Sequence, residues 1–179
     1  MKKISNLILE NALEKCSPIN IAGVERSPLL IHYGANKYMP EKFSPIKNRN
    51  HQKPVHGTGL WTSPMDSNTD WRDYIRDDGW EERHESVKIF FVVCLYADAK
   101  IFVIDSEDDL QKAPLIDYKG YEPRKNIDFE AAAKKYDAIW LTEKGQIDTR
   151  HAYPVKLFGW DIESVLILNP NCIFPVDEL

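Results

Sequence analysis

The sequence predicts an α+β domain built mostly of short antiparallel strands in split sheets with a few short helices. Its apolar runs are brief, rich in β-branched and aromatic residues, and repeatedly broken by Gly, Pro, Asn or Asp. Helical periods are few, too few to supply the crossover helices of a doubly wound parallel sheet. With 179 residues and 43% hydrophobic content, the chain can bury one real core. No repeat or linker divides it, so it reads as a single domain over 1–179. Residues 1–28 would be a helix and lead-in, and 29–176 the core.

Residues 2–15 carry a partial apolar stripe of Ile4, Leu7 and Ile8, ended by Ser17-Pro18. Leu29–Tyr33 is the first strand expected, closed by Gly34. The stretch 35–55 is polar, contains Pro40, Pro45 and Pro54, and has no period. A loop of that length in a compact domain suits a lid or edge over a cleft. Leu60–Ser63 reads as a short strand stopped by Pro64. Ser67 or Thr69 can cap a helix over 70–76 whose Trp71, Tyr74 and Ile75 face inward. Val87–Tyr96 is the strongest strand signal. Asp98-Ala99-Lys100 suggests a turn that pairs it with Ile101–Ile104 as a hairpin. Ser106 and Asp128 cap helices over 107–112 and 129–136, the second through Ala131-Ala132-Ala133. Ala138–Thr142, 155–158, Ser164–Leu168 and 172–174 complete the strands, and 145–154 reads as a polar connection.

The net charge of −5 provides no overall electrostatic footprint for nucleic acid, so a protein partner is expected ahead of it. Cys16, Cys94 and Cys172 are odd in number and widely spaced, which suggests reduced core thiols and neither a disulfide framework nor a zinc site. No run is long enough to span a membrane. A cytoplasmic address is the expectation.

Three stretches can carry chemistry. His32, with Tyr33 and Gly34, ends the first strand and either faces a ligand or is satisfied at a sheet edge. Gly57-Thr58-Gly59-Leu60-Trp61-Thr62-Ser63-Pro64 brings backbone close to whatever it faces, because Gly has no Cβ. Its Trp61 is either core or a cleft wall. No nucleophile elbow surrounds Ser63, which argues against a hydrolase. Glu163 opens a strongly apolar strand, with Asp161 two residues earlier and so on the same side of an extended chain. Such carboxylates either meet solvent or stabilise developing positive charge. We expect the three stretches to converge on one nucleotide cleft.

His32-Tyr33-Gly34, then Gly59-Leu60-Trp61 with Ser63, then the late Glu163, together resemble the ADP-ribosyltransferase superfamily. The likeness is to its diphtheria-toxin and poly(ADP-ribose)-polymerase side, where a His, a Tyr and a Glu line an NAD cleft. Trp61 would take the Tyr position, and Asp161 falls where arginine-modifying members carry a Glu or Gln. The resemblance implies NAD as co-substrate and transfer of ADP-ribose to a protein or nucleic-acid acceptor with release of nicotinamide. It also implies roles. Glu163 would stabilise the oxocarbenium-like ribose, with Asp161 orienting the acceptor. His32 would hold the adenosine ribose. Trp61 would pack on nicotinamide, and Ser63, beside Thr62, would orient Glu163. The stretch from Gly34 to Ser63 also resembles small phage-encoded proteins, implying a phage or bacterial effector. Rival expectations are an NAD glycohydrolase, an RNA 2′-phosphotransferase, and a non-catalytic inhibitor module using the acidic segment 66–85.

Overall fold

Short strands with alternating burial need a common sheet, and here they find one. The computed structural model describes residues 16–77, 79, 85–118 and 125–176. The expected helix over 2–15 lies outside the described residues. The strands are β1 (Ile19–Ile21), β2 (Val24–Arg26), β3 (Leu29–Tyr33), β4 (Leu60–Pro64), β5 (Phe90–Leu95), β6 (Ile101–Ile104), β7 (Leu115–Asp117), β8 (Lys125–Ile127), β9 (Ala138–Leu141), β10 (Ser164–Ile167) and β11 (Ile173–Pro175). The helices are α1 (Trp71–Asp77), α2 (Glu107–Gln111), α3 (Phe129–Ala132) and α4 (Glu143–Thr149).

Seven strands form one sheet in the order β11-β5-β3-β4-β10-β9-β6, and β1-β2 and β7-β8 are separate two-stranded ribbons. Within the seven, only β6 and β9 run parallel. The α+β class with mostly antiparallel pairing is therefore observed. The expected β5–β6 hairpin is not. A turn does follow β5, with Ala99 N–H donating to Tyr96 O at 3.0 Å, but β6 leaves to pair with β9 at the opposite edge. Turn residues announce a change of direction without specifying the next partner. Ile101–Ile104 lies in register with Ala138–Leu141, which buries all of β9 and Ile104 and leaves Ile101, Phe102 and Val103 half-buried.

One face of the sheet packs Ile139 and Leu166 against Leu110, Phe129, Leu157 and Trp160. The other carries Leu30, Val93, Trp140, Val165 and Ile167. Residues 155–158, expected as a strand, form none. They hold Val155 and Leu157 in the first cluster, with Leu157 N–H bonded to Thr149 O at 3.0 Å. The stretch read as a polar connection begins inside α4, which starts two residues earlier at Glu143. Its cap is Thr142, whose side chain accepts from Gly145 N–H at 2.9 Å. The cap of α1 is Asp70 rather than Ser67 or Thr69, accepting from Asp73 N–H at 2.9 Å.

The expectation of reduced thiols is corrected for two of the three cysteines. Cys16 and Cys94 form a disulfide with a Cα–Cα separation of 6.3 Å, tying the chain before β1 to β5. The partners are 78 residues apart, so only the folded path of the chain brings them together. Cys172 is a buried free thiol. No described helix is long and apolar enough to cross a membrane.

Candidate functional site

The three stretches singled out in the sequence lie on neighbouring strands, because β3, β4 and β10 are adjacent in the centre of the sheet. Ile31 opposes Ser63, and Trp61 opposes Leu166, so alternate residues of the three strands share one face. A cavity of about 290 Å³ opens at these strands, lined by residues of both parities. Its lining includes His32, Tyr33, Trp61, Thr62 and Ser63. Asp161 lines it too, from the turn just before β10.

Aromatic rings form much of the wall. Trp61 meets Trp160 edge to face with centroids 4.5 Å apart. Trp71 reaches the wall from the first turn of α1. Tyr33 sets that turn in place, since its hydroxyl donates to the Asp70 carboxylate that caps the helix. Burial and this hydrogen bond raise the Tyr33 pKa well above its ordinary value, so the phenol is a fixed donor.

His32 is held in one tautomer. Its Nδ1 lies 2.7 Å from the Trp61 carbonyl, which only accepts, so Nδ1 carries the proton and Nε2 keeps a lone pair. Burial lowers its pKa, and the bond to Trp61 O offsets this only in part. The sign for stability follows. The imidazole is harder to protonate folded than unfolded, so stability is full above about pH 6.5 and declines as pH falls below it. Thermal melts from pH 7.5 to 5, taken as rough bounds of that window, should show an acid-side loss that is reduced in His32→Gln.

Glu163 departs from expectation. It is 4% exposed and does not line the cavity. Arg26 grips it through two bonds, of 2.8 and 3.1 Å, and Trp140 Nε1 donates to it at 2.9 Å. Arg26 also pairs with Asp66 at 3.0 Å. Burial opposes the charge on Arg26, but its bonds to Glu163 and Asp66 outweigh that and raise its pKa. The reason for the departure is the bend at Ile162 and Glu163 just before β10. It leaves Asp161, Ile162 and Ser164 on the cavity wall and turns Glu163 to Trp140 and Arg26. Ser63 lines the cavity, where Glu163 does not.

The remaining expected residues divide similarly. Thr62 donates through Oγ1 to Val165 O at 2.9 Å, which pins β4 to β10. Gly34 does not line the cavity, and its N–H is engaged by Ile89 O at 2.9 Å. Gly59 lines a second cavity of about 150 Å³, which shares His32 with the first. A Cβ on Gly59 would lie 2.9 Å from Ile167 O, and its φ of +66° favours glycine, so close strand approach requires this residue.

Sequence reasoning missed Lys53, His56, Trp160 and Ser164 on the wall of the first cavity. The signal for Trp160 was present in Phe158-Gly159-Trp160-Asp161, aromatic residues next to a carboxylate. Lys53 and His56 belong to the end of the loop expected as an edge over the cleft, or follow it directly. That loop is fastened, with Gln52 Oε1 accepting from Gly159 N–H at 2.9 Å and Gln52 O from Trp160 Nε1 at 3.1 Å. Lys53 Nζ sits 3.8 Å from Asp161 and 5.9 Å from the Trp61 ring. Among the described residues, no group of His, Cys, Asp and Glu is placed to hold a metal ion. No protein-family model, curated protein or solved structure matches this chain.

Proposed function

We propose that the protein is an NAD-dependent ADP-ribosyltransferase whose reacting centre is the larger cavity, with Asp161 as its carboxylate. One observation carries this. The three stretches that resemble the family's NAD-cleft segments lie on adjacent strands and open on one aromatic-walled cavity. Asp161 is the carboxylate among its lining residues, where Glu163 was expected.

The lining fits a nicotinamide riboside. Trp61 and Trp160 offer ring surface to the base, and Lys53 offers a cation for phosphate. His32 stands between the two cavities, with its Nε2 lone pair left for a ribose hydroxyl. The smaller cavity would hold the adenosine side, where the buried Tyr38 hydroxyl has no partner among the described residues. In the reaction the bond from ribose C1′ to the nicotinamide nitrogen breaks, and its electron pair leaves with nicotinamide. Asp161 would stabilise the positive charge left on the ribose until an acceptor nucleophile bonds C1′ and gives up its proton.

The binding-module alternative loses support because three carboxylates at the start of the acidic segment are engaged within the fold. Asp66 holds Arg26, Asp70 caps α1 and binds Tyr33, and Asp73 pairs with Arg76 at 3.1 Å.

Calorimetric titration of NAD, with nicotinamide release followed in the same samples, tests the proposal. Asp161→Asn should keep NAD binding within a few-fold and slow release by about 10²- to 10³-fold, the usual cost of removing one preorganised electrostatic group. Absence of NAD binding by the folded protein would sink the proposal. So would release at the wild-type rate from Asp161→Asn.

A further inference from the structure

The acidic net charge conceals a concentrated basic surface. Residues 42–65 contain Lys42, Lys47, Arg49 and Lys53 and no Asp or Glu. Residues 149–160 contain Arg150 and Lys156, again without a carboxylate. The fold packs these two stretches together at the larger cavity. Gly159 and Trp160 bond to Gln52, and a Cβ added at Gly159 would meet Lys53, Gln52 and His51 within 4.0 Å.

Asp161 is the carboxylate that both stretches approach. Lys53 and Arg150 each stand 3.8 Å from it, so one negative charge is shared by two cations and leaves a surplus. Arg49 stands beside this pair. It donates to the Lys53 carbonyl at 3.0 Å and lies 3.4 Å from His51 Nδ1. Burial first, then the charges of Arg49 and Lys53, lower the His51 pKa, as a locally positive field requires. Acidic groups at the far side of the loop, Asp128 and Glu130, are engaged by Asn48.

An aromatic ring stands in the same surface. Phe158 is 49% exposed, an unusual state for Phe. The Arg150 guanidinium lies 4.7 Å from its centroid, and His151 is 5.8 Å away. Tyr153, five residues earlier in the chain, is 55% exposed. Cations interleaved with exposed rings match a strand of phosphates and unstacked bases. An acidic peptide would use the charges and leave the rings without a role.

We infer that the Arg49–Lys53 and Arg150–Phe158 surface binds single-stranded nucleic acid and delivers a nucleotide to the larger cavity as acceptor. The sequence-based preference for a protein acceptor rested on net charge, which averages this surface with distant carboxylates. The inference builds on the proposed transferase, but the binding it requires involves no NAD.

Anisotropy titrations of fluorescein-labelled single-stranded DNA and RNA, about 20 nucleotides long, provide the test, with a duplex and a polyglutamate peptide as competitors. Binding to a single strand should weaken with salt at a log–log slope of about −2 to −3, the release expected for three or four phosphate contacts. Phe158→Ala should weaken it about tenfold without altering acceptor-independent nicotinamide release. Arg49→Gln should flatten the slope by about 0.7. The inference is overturned if neither strand binds at low salt, if both variants bind like wild type, or if polyglutamate or duplex competes as well as the single strand. Failure here with NAD turnover intact would remove the acceptor assignment alone. Loss of NAD binding would instead strike the transferase proposal.

Discussion

Glu163→Ala is expected to destabilise the fold by about 3–5 kcal/mol, because it leaves a half-buried guanidinium and a buried indole N–H without their acceptor. Arg26 is 16% exposed at its side chain and Glu163 only 3%. Asp66 retains part of the charge compensation, which favours the lower end of that range. Arg26 also lies 5.4 Å from the Trp140 ring, so its packing depends on the same arrangement. Chemical denaturation of the single variant measures the loss. The double variant Arg26→Met/Glu163→Leu should recover most of it, since replacing both ions with apolar groups removes the desolvation cost along with the pairing. A catalytic Glu163 predicts the opposite pattern. The single variant would then stay stable and lose turnover, and the folded double variant would be inactive. Nicotinamide release retained by the double variant would assign Glu163 to the architecture.

Gly145→Ala is expected to cost about 3 kcal/mol or more, among the largest effects of any single added methyl group in this chain. A Cβ there would stand 2.0 Å from Ile104 O and 2.8 Å from the Ile104 carbonyl carbon. Both contacts are backbone, so no side-chain rotation relieves them. The end of β6 would have to separate from α4, yet Thr142 N–H donates to Ile104 O at 3.1 Å and holds them together. Lys144 adds a second clamp by donating through Nζ to Asp105 O at 2.7 Å, just past the end of β6. In an isolated helix the same substitution would be favourable, by about 1 kcal/mol. A thermal melt separates the two expectations by sign. An unchanged or raised midpoint would show that β6 and α4 are further apart than described.

The gap between these two expectations at Gly145 marks what sequence alone determined about this protein. Local chemistry was enough for the strand cores Leu29–Tyr33 and Ile101–Ile104, because each is a short, largely apolar run containing β-branched and aromatic residues and flanked by turn residues. It was enough for the capping of α2 by Ser106 and of α3 by Asp128, whose side chains bond to N–H groups three residues on. It also marked His32, Trp61 and Asp161 for one cleft, because strand-end polar residues beside Gly and Trp are unusual in a core.

Tertiary structure decided the rest, wherever partners are distant in sequence. The parallel pairing of β6 with β9, the Cys16–Cys94 bridge and the loop bond from Gln52 to Gly159 join residues 37 to 107 positions apart. Nothing local to either partner encodes such contacts. The bend before β10 did the same for the carboxylates. Residues two apart share a side only in an extended chain, and the backbone bends at Ile162 and Glu163 before β10 begins at Ser164, so Glu163 meets Arg26 while Asp161 lines the cavity. Where the extended strand begins is set by packing against its neighbours, and nothing local to either carboxylate fixes that point.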